Sequence, residues 1–174
     1  MHFYDVVFDS CGVDAELERK LGFQKIGVAG VDVAVVDLDK GRGAAGGAVA
    51  VGRDRGELIS AVKGGASGVV INGSEIEKEL IKAMADNACA LFIQLSDVMH
   101  YFGIRRSRLI YRDWKLFSYA RKAGLDVGFL TLARSRAVMC SYMQMIELAK
   151  IIGADERYAR ESISRVNGAL LVRT

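Results

Sequence analysis

Nine basic residues fall between positions 105 and 136: Arg105, Arg106, Arg108, Arg112, Lys115, Arg121, Lys122, Arg134 and Arg136. Only Asp113 and Asp126 oppose them, so this segment carries +7 while the whole chain is +3 and the remainder sums to −4. Such concentration in a near-neutral chain points to a polyanionic partner, and a nucleic-acid phosphate backbone is the commonest one. The competing reading is an ordinary solvated helix face. Against it stands Asp113, the only acid within 107–122, which leaves the usual mixed-sign pairing absent. Tyr101, Phe102 and Tyr111 lie beside the basic run. Each is a core candidate, and aromatics among arginines also suit stacking on unpaired RNA bases.

Other chemistry is thinly represented. Gly41-Arg42-Gly43-Ala44-Ala45-Gly46 matches the dinucleotide pattern G-x-G-x-x-G, but Ala48-Val49-Ala50-Val51 after it reads as a strand. The helix whose amino terminus would meet the pyrophosphate is missing, so a loop is the better account. His2 and His100 are the only histidines and no metal-ligand spacing exists, so neither a metal site nor a histidine-based triad is assigned. Asp5 and Asp9 flank the end of the first strand. In a barrel that end faces the site, yet a loop or capping carboxylate is the favoured reading of Asp9. Cys11, Cys89 and Cys140 are odd in number and spaced for neither metal nor redox work, which fits reduced thiols in a cytoplasmic protein. No apolar run spans a bilayer, and the opening reads as a strand without a leader.

The elements that must position these residues are read from periodicity, with glycine as the boundary signal in a chain that lacks proline. Strands are expected at 3–8, 25–28, 33–38, 48–51, 68–71, 91–95 and 127–132. Helices are expected after the first strand (Val13, Leu17, Leu21), around Leu58, Ala61 and Val62, and after a capping box at Ser74–Glu77. The basic helix spans 107–122 with Gly124 as its stop; Arg108, Arg112, Lys115, Tyr119 and Lys122 form one stripe. Leu109, Ile110, Trp114, Leu116, Phe117 and Ala120 form a docking arc, which Asp113 and Arg121 interrupt. Two helices, one patterned by Tyr142 to Ile152 and one capped by Asp155, precede a final turn at 166–172. Alternating strands and helices imply one α/β domain over 1–174, with about seven parallel strands and outer helices in a small barrel.

The order of several strings resembles the ribonuclease P protein component 3 family, archaeal relatives of a subunit of the eukaryotic enzyme. These strings are Phe3-Tyr4-Asp5-Val6-Val7-Phe8-Asp9, Gly64-Gly65-Ala66-Ser67-Gly68-Val69-Val70-Ile71, the basic segment, and the closing block from Ala149-Lys150-Ile151-Ile152-Gly153 through Ser162-Ile163-Ser164 to Leu170-Leu171. The resemblance implies a TIM-barrel-like fold related to the polymerase-histidinol phosphatase barrels, whose D-x-H-x-H opening is replaced here by Asp5, Val7 and Asp9. It implies a non-catalytic subunit that binds ribonuclease P RNA and supports removal of the 5′ leader of precursor tRNA. The RNA would carry the chemistry with its own magnesium, and the protein would need no cofactor. A partner, component 2, is implied, and a heterotetramer is admitted. The expected RNA contacts are Arg105, Arg106, Arg108, Arg112, Lys115, Lys122, Arg134 and Arg136. The family's arginine, proline and charged pair before the penultimate helix are replaced by Cys140-Ser141-Tyr142-Met143-Gln144, so their contacts are not carried over. The alternative is a stand-alone barrel enzyme on a phosphorylated small molecule, with Arg134 and Arg136 on the phosphate and Asp9 as acid or base.

Overall fold

The computed structural model describes residues 1–8, 11–40, 46–73 and 78–171. Among them seven strands alternate with helices: β1 (Tyr4–Val7), β2 (Lys25–Val28), β3 (Val35–Asp37), β4 (Val49–Gly52), β5 (Gly68–Ile71), β6 (Ala90–Gln94) and β7 (Val127–Leu130). The helices are α1 (Ala15–Leu21), α2 (Arg55–Lys63), α3 (Lys78–Asp86), α4 (Ser96–His100), α5 (Gly103–Lys122), α6 (Tyr142–Ile151), α7 (Glu156–Glu161) and α8 (Asn167–Leu171). All strand pairs are parallel: β1 with β2, and β3-β4-β5-β6-β7 in sequential order. The α/β expectation therefore holds.

Two backbone hydrogen bonds join the sheets, Leu132 N to Val6 O and Phe8 N to Ala133 O, each 2.9 Å. On the other side a single parallel bridge pairs Ala29 with Val33. The seven strands thus form a small TIM-barrel-like ring with two weak joints.

Side-chain alternation divides the core. Val6, Val49, Val70, Phe92 and Leu130 form an inner cluster with Val166 and Leu170, while a larger cluster packs the strands against the helices. Phe92 fills the interior because its register neighbours give it room. A Cβ at Gly68 or at Gly128 would stand 2.3 Å from the Phe92 ring, which is sterically impossible without repacking.

The joint between β1 and β7 explains the end of the chain. α7 runs into a π-helical turn (Ser162–Val166) and then α8, which wedges between the two strands. Asn167 is fully buried there, and its Nδ2 donates to Tyr4 O and Phe129 O; Ser162 Oγ donates to Val127 O. Side chains thus replace the missing strand ladder. Asn167→Ala leaves two buried carbonyls unpaired and is expected to cost about 2–4 kcal/mol, read from the urea midpoint. A cost below about 0.5 kcal/mol would remove the wedge from this account.

Asp5 reinforces the same joint. It is fully buried, and accepts from Thr131 N at 2.8 Å and from the Thr131 hydroxyl. Burial pushes its carboxyl up from 3.8 to about 6, and the Thr131 bonds pull only partly against that. The folded state therefore binds this proton more tightly than the unfolded state. Its contribution is full below about pH 4 and is lost as pH rises through about 6, on the order of 3 kcal/mol. Asp5→Asn keeps an acceptor for Thr131 N and should flatten that part of the stability–pH curve. An unchanged slope between pH 4 and 7 would contradict the assignment.

Candidate nucleic-acid interface

α5 starts four residues earlier than its periodicity indicates, at Gly103, and ends at Lys122, with Gly124 at φ 73° just beyond. Leu116, Phe117 and Ala120 are buried as expected of the docking arc. Trp114 is not: it is 45% exposed and stacks on Tyr111, with centroids 5.8 Å apart. The two residues that interrupt the arc are each rescued. Arg121 lies over the Tyr158 ring at 4.1 Å, so its charge reaches the surface along an aromatic face.

Asp113 is 1% exposed, and Arg112 closes on its Oδ1 with both Nε (2.8 Å) and Nη2 (2.7 Å). This corrects the expectation that acid–base pairing is absent from the helix. Adjacent positions do not ordinarily face each other on a helix, so the Arg112 side chain must bend back to make the pair. Asp113 Oδ2 remains without a partner. Burial pushes its carboxyl up to about 6 despite Arg112, with Asp97 adding to the rise.

The remaining expected RNA contacts fall into two groups. On α5, Arg105 lies 3.7 Å over the Tyr101 ring and Lys115 4.5 Å over Tyr111. Arg106, Arg108 and Lys122 make no ion pair among the described residues. Elsewhere several cations are neutralised locally, as in Lys25–Asp32, Arg160–Glu156 and Arg165–Asp126. Three arginines in the first turns of α5 also oppose the helix dipole, an arrangement that costs stability unless an anion arrives. After β7, the second group is held by the fold. Arg134 stacks 4.8 Å from the Phe8 ring. Arg136 donates to Cys11 O (2.8 Å) and Gly12 O (2.6 Å) and reaches Asp14 at 3.9 Å. Arg136 thus clamps the loop between β1 and α1.

A cavity of about 380 Å³ opens between the carboxyl end of β5 and α5. Its wall gathers Arg105, Arg108, Arg112 and Lys115 with Leu109, Tyr111, Asn72 and Gly73. A second cavity of about 310 Å³ is lined by Lys78, Ile81, Tyr119, Lys122 and Ala123. The predicted stripe of α5 therefore lines two successive hollows facing the β5–α3 side. Asn72 was not singled out by sequence reasoning. The signal for it was a polar Asn-Gly pair at the carboxyl end of a fully apolar strand, where barrels place their ligands.

Several expectations lie outside the described residues: Asp9, most of the glycine pattern (41–45) and the capping box at 74–77. The strand β4 comes directly after the glycine pattern, in agreement with the sequence reading. Among the described residues no group of three His, Cys, Asp or Glu side chains is placed to hold a metal, and no helix is long and apolar enough to cross a membrane. The Cys140–Gln144 segment supplies a capping box for α6, Ser141 and Gln144 bonding each other's backbone N–H.

No family model matches the chain. Over 93 residues it is 34% identical to ribonuclease P protein component 3 of Methanosarcina acetivorans; the match covers 53% of this chain and 39% of that protein. Among solved structures, a protein described as uncharacterized superposes with a TM-score of 0.55 at 12% identity, over 72% of this chain and 33% of its own. A prolidase crystallised with N-methylphosphonate-L-proline gives a TM-score of 0.53 at 14% identity, with the same coverage. The chain is thus similar in fold to about a third of those larger proteins and in sequence to a stretch of a ribonuclease P subunit.

Proposed function

We propose that this protein is an RNA-binding subunit of ribonuclease P. It supports endonucleolytic removal of the 5′ leader of precursor tRNA without carrying the catalytic groups itself. The observation that carries the reading is the cationic face of α5, where Arg105, Arg108, Lys115 and Lys122 hold charge that no acid neutralises among the described residues, with Arg106 adding unpaired charge on another side of the helix. The similarity to ribonuclease P protein component 3 supplies the kind of RNA. Positive charge along one helix offsets phosphate repulsion and so favours the compact RNA fold. The magnesium of the reaction would belong to the RNA.

Arg112 serves this face through Asp113, and Arg136 through the loop it clamps, so neither is expected to dominate RNA affinity. A partner protein, component 2, in a heterotetramer or a simpler assembly, completes the proposal. The exposed side chains of Phe102, Ile104 and Trp114 leave apolar surface beside the basic face for such contact. Binding to ribonuclease P RNA should weaken with salt along a log–log slope of roughly −3 to −4 for about five phosphates. A flat salt response would sink the electrostatic basis of the reading.

A further inference from the structure

We propose that the cavity between β5 and α5 takes one unpaired nucleotide of an RNA strand. Its phosphate rests on Arg108 and Lys115, and its base lies against Leu109 and Tyr111 with a polar edge on Asn72. The inference rests on the RNA-binding reading of α5 and goes beyond it by assigning a seat for a base.

Four features converge on this chemistry. The volume, about 380 Å³, suits a small ligand rather than a helical backbone. The wall combines cations with an aliphatic and an aromatic side chain, which matches a nucleotide's joined anion and π-face. Asn72 Oδ1 is buried without a hydrogen-bond partner, although the Asn72 backbone is fixed by its N–H bond to Gly52 O at 2.9 Å. A buried acceptor left unpaired is costly, and a turn of the Asn72 side chain toward the cavity it lines would let a base amine or imine N–H satisfy it. Finally, the cavity opens at the carboxyl end of a parallel strand, beside a helix whose first turns carry only positive charge.

The four wall cations differ in freedom. Arg112 is engaged by Asp113 and Arg105 by Tyr101, so they shape the wall. Arg108 is exposed and unpaired among the described residues, and Lys115 is held only by the Tyr111 ring, so a phosphate would draw Lys115 off that ring and leave a ring face open to the base. A base in a duplex presents neither a free face nor a free pairing edge to such a hollow. The seat therefore requires an unstacked nucleotide.

The test uses the full chain and a six-nucleotide single-stranded RNA carrying a central 2-aminopurine, with fluorescence reporting stacking and anisotropy reporting binding. The parent protein should quench the probe, and the same sequence as a duplex should not. Asn72→Leu, which removes the polar edge, and Tyr111→Ala, at an exposed ring, should each weaken binding roughly tenfold with the salt slope unchanged. Inorganic phosphate should not displace the strand. Circular dichroism checks whether Asn72→Leu folds, and Tyr111→Ala tests the seat independently of it. Unchanged binding in both variants, with weaker binding in Arg108→Ala, would overturn the seat and leave RNA binding by charge intact. AMP competing as strongly as the hexamer would overturn the RNA strand as the source of the nucleotide. No binding of the hexamer or of ribonuclease P RNA to the folded parent would instead remove the RNA reading itself.

Discussion

Replacing Arg108, Lys115 and Lys122 together with alanine is expected to lower affinity for ribonuclease P RNA by on the order of a hundredfold at physiological salt. Each lost phosphate contact removes roughly 0.7–0.9 from the log–log salt slope, so the triple variant should bind with a slope shallower by about 2 to 3. The effect should be confined to binding. Arg108 and Lys122 are exposed and unpaired among the described residues, and Lys115 gives up only a ring contact worth about 0.5–1 kcal/mol. The melting temperature should therefore change little. An affinity within threefold of the parent, with the slope intact, would move the RNA contact off this helix.

Arg112→Ala should behave in the opposite way, with a large loss of stability and a small direct loss of RNA contact. Among the described residues Arg112 is the only partner of a carboxylate that is 1% exposed and whose second oxygen already lacks a hydrogen bond. Removing one member of a buried pair typically costs about 3–5 kcal/mol, because the other is left desolvated. The loss should depend on pH. Asp113 already titrates near 6 with Arg112 in place, and without it the carboxyl takes up its proton at still higher pH. Destabilisation should thus be largest above pH 7 and shrink below pH 5, where the carboxyl is neutral in both proteins. Asp113→Asn added to Arg112→Ala should recover much of the loss. Equal destabilisation at pH 5 and pH 8 in a urea titration would show that Arg112 acts by packing instead of by charge.

These two outcomes separate residues that the sequence places on one stripe. Helical spacing located Arg108, Arg112, Lys115 and Lys122 correctly on α5, because a 3.6-residue period is a local property. It did not distinguish the arginine that pairs with Asp113 from the one that stays unpaired. Asp113 stood out as an acid inside an apolar arc, but its rescuer was the adjacent residue, which periodicity does not propose.

Strands were legible for the same local reason. Lys25–Val28 and Gly68–Ile71 match residue for residue, since glycines and apolar runs bound them. α4 was not legible: five residues following β6, with Leu95 and Val98 buried, carry too little period to separate a helical turn from a strand end. The wedge at Asn167 and the seam function of Asp5 depend on partners more than a hundred residues away for Asp5 and on two strands at once for Asn167. Neither has a local signature. The cavity wall at Asn72 had one, a polar residue ending an apolar strand, but its meaning emerges only once α5 lies across it.

Reconstituted cleavage tests the subunit role. Processing of precursor tRNA by ribonuclease P RNA at low magnesium would be followed with component 2 alone and then with this protein added. The rate should rise steeply only when both proteins are present, and the Arg108, Lys115 and Lys122 triple variant should lose that rise. An unchanged rate with the folded parent protein would contradict it.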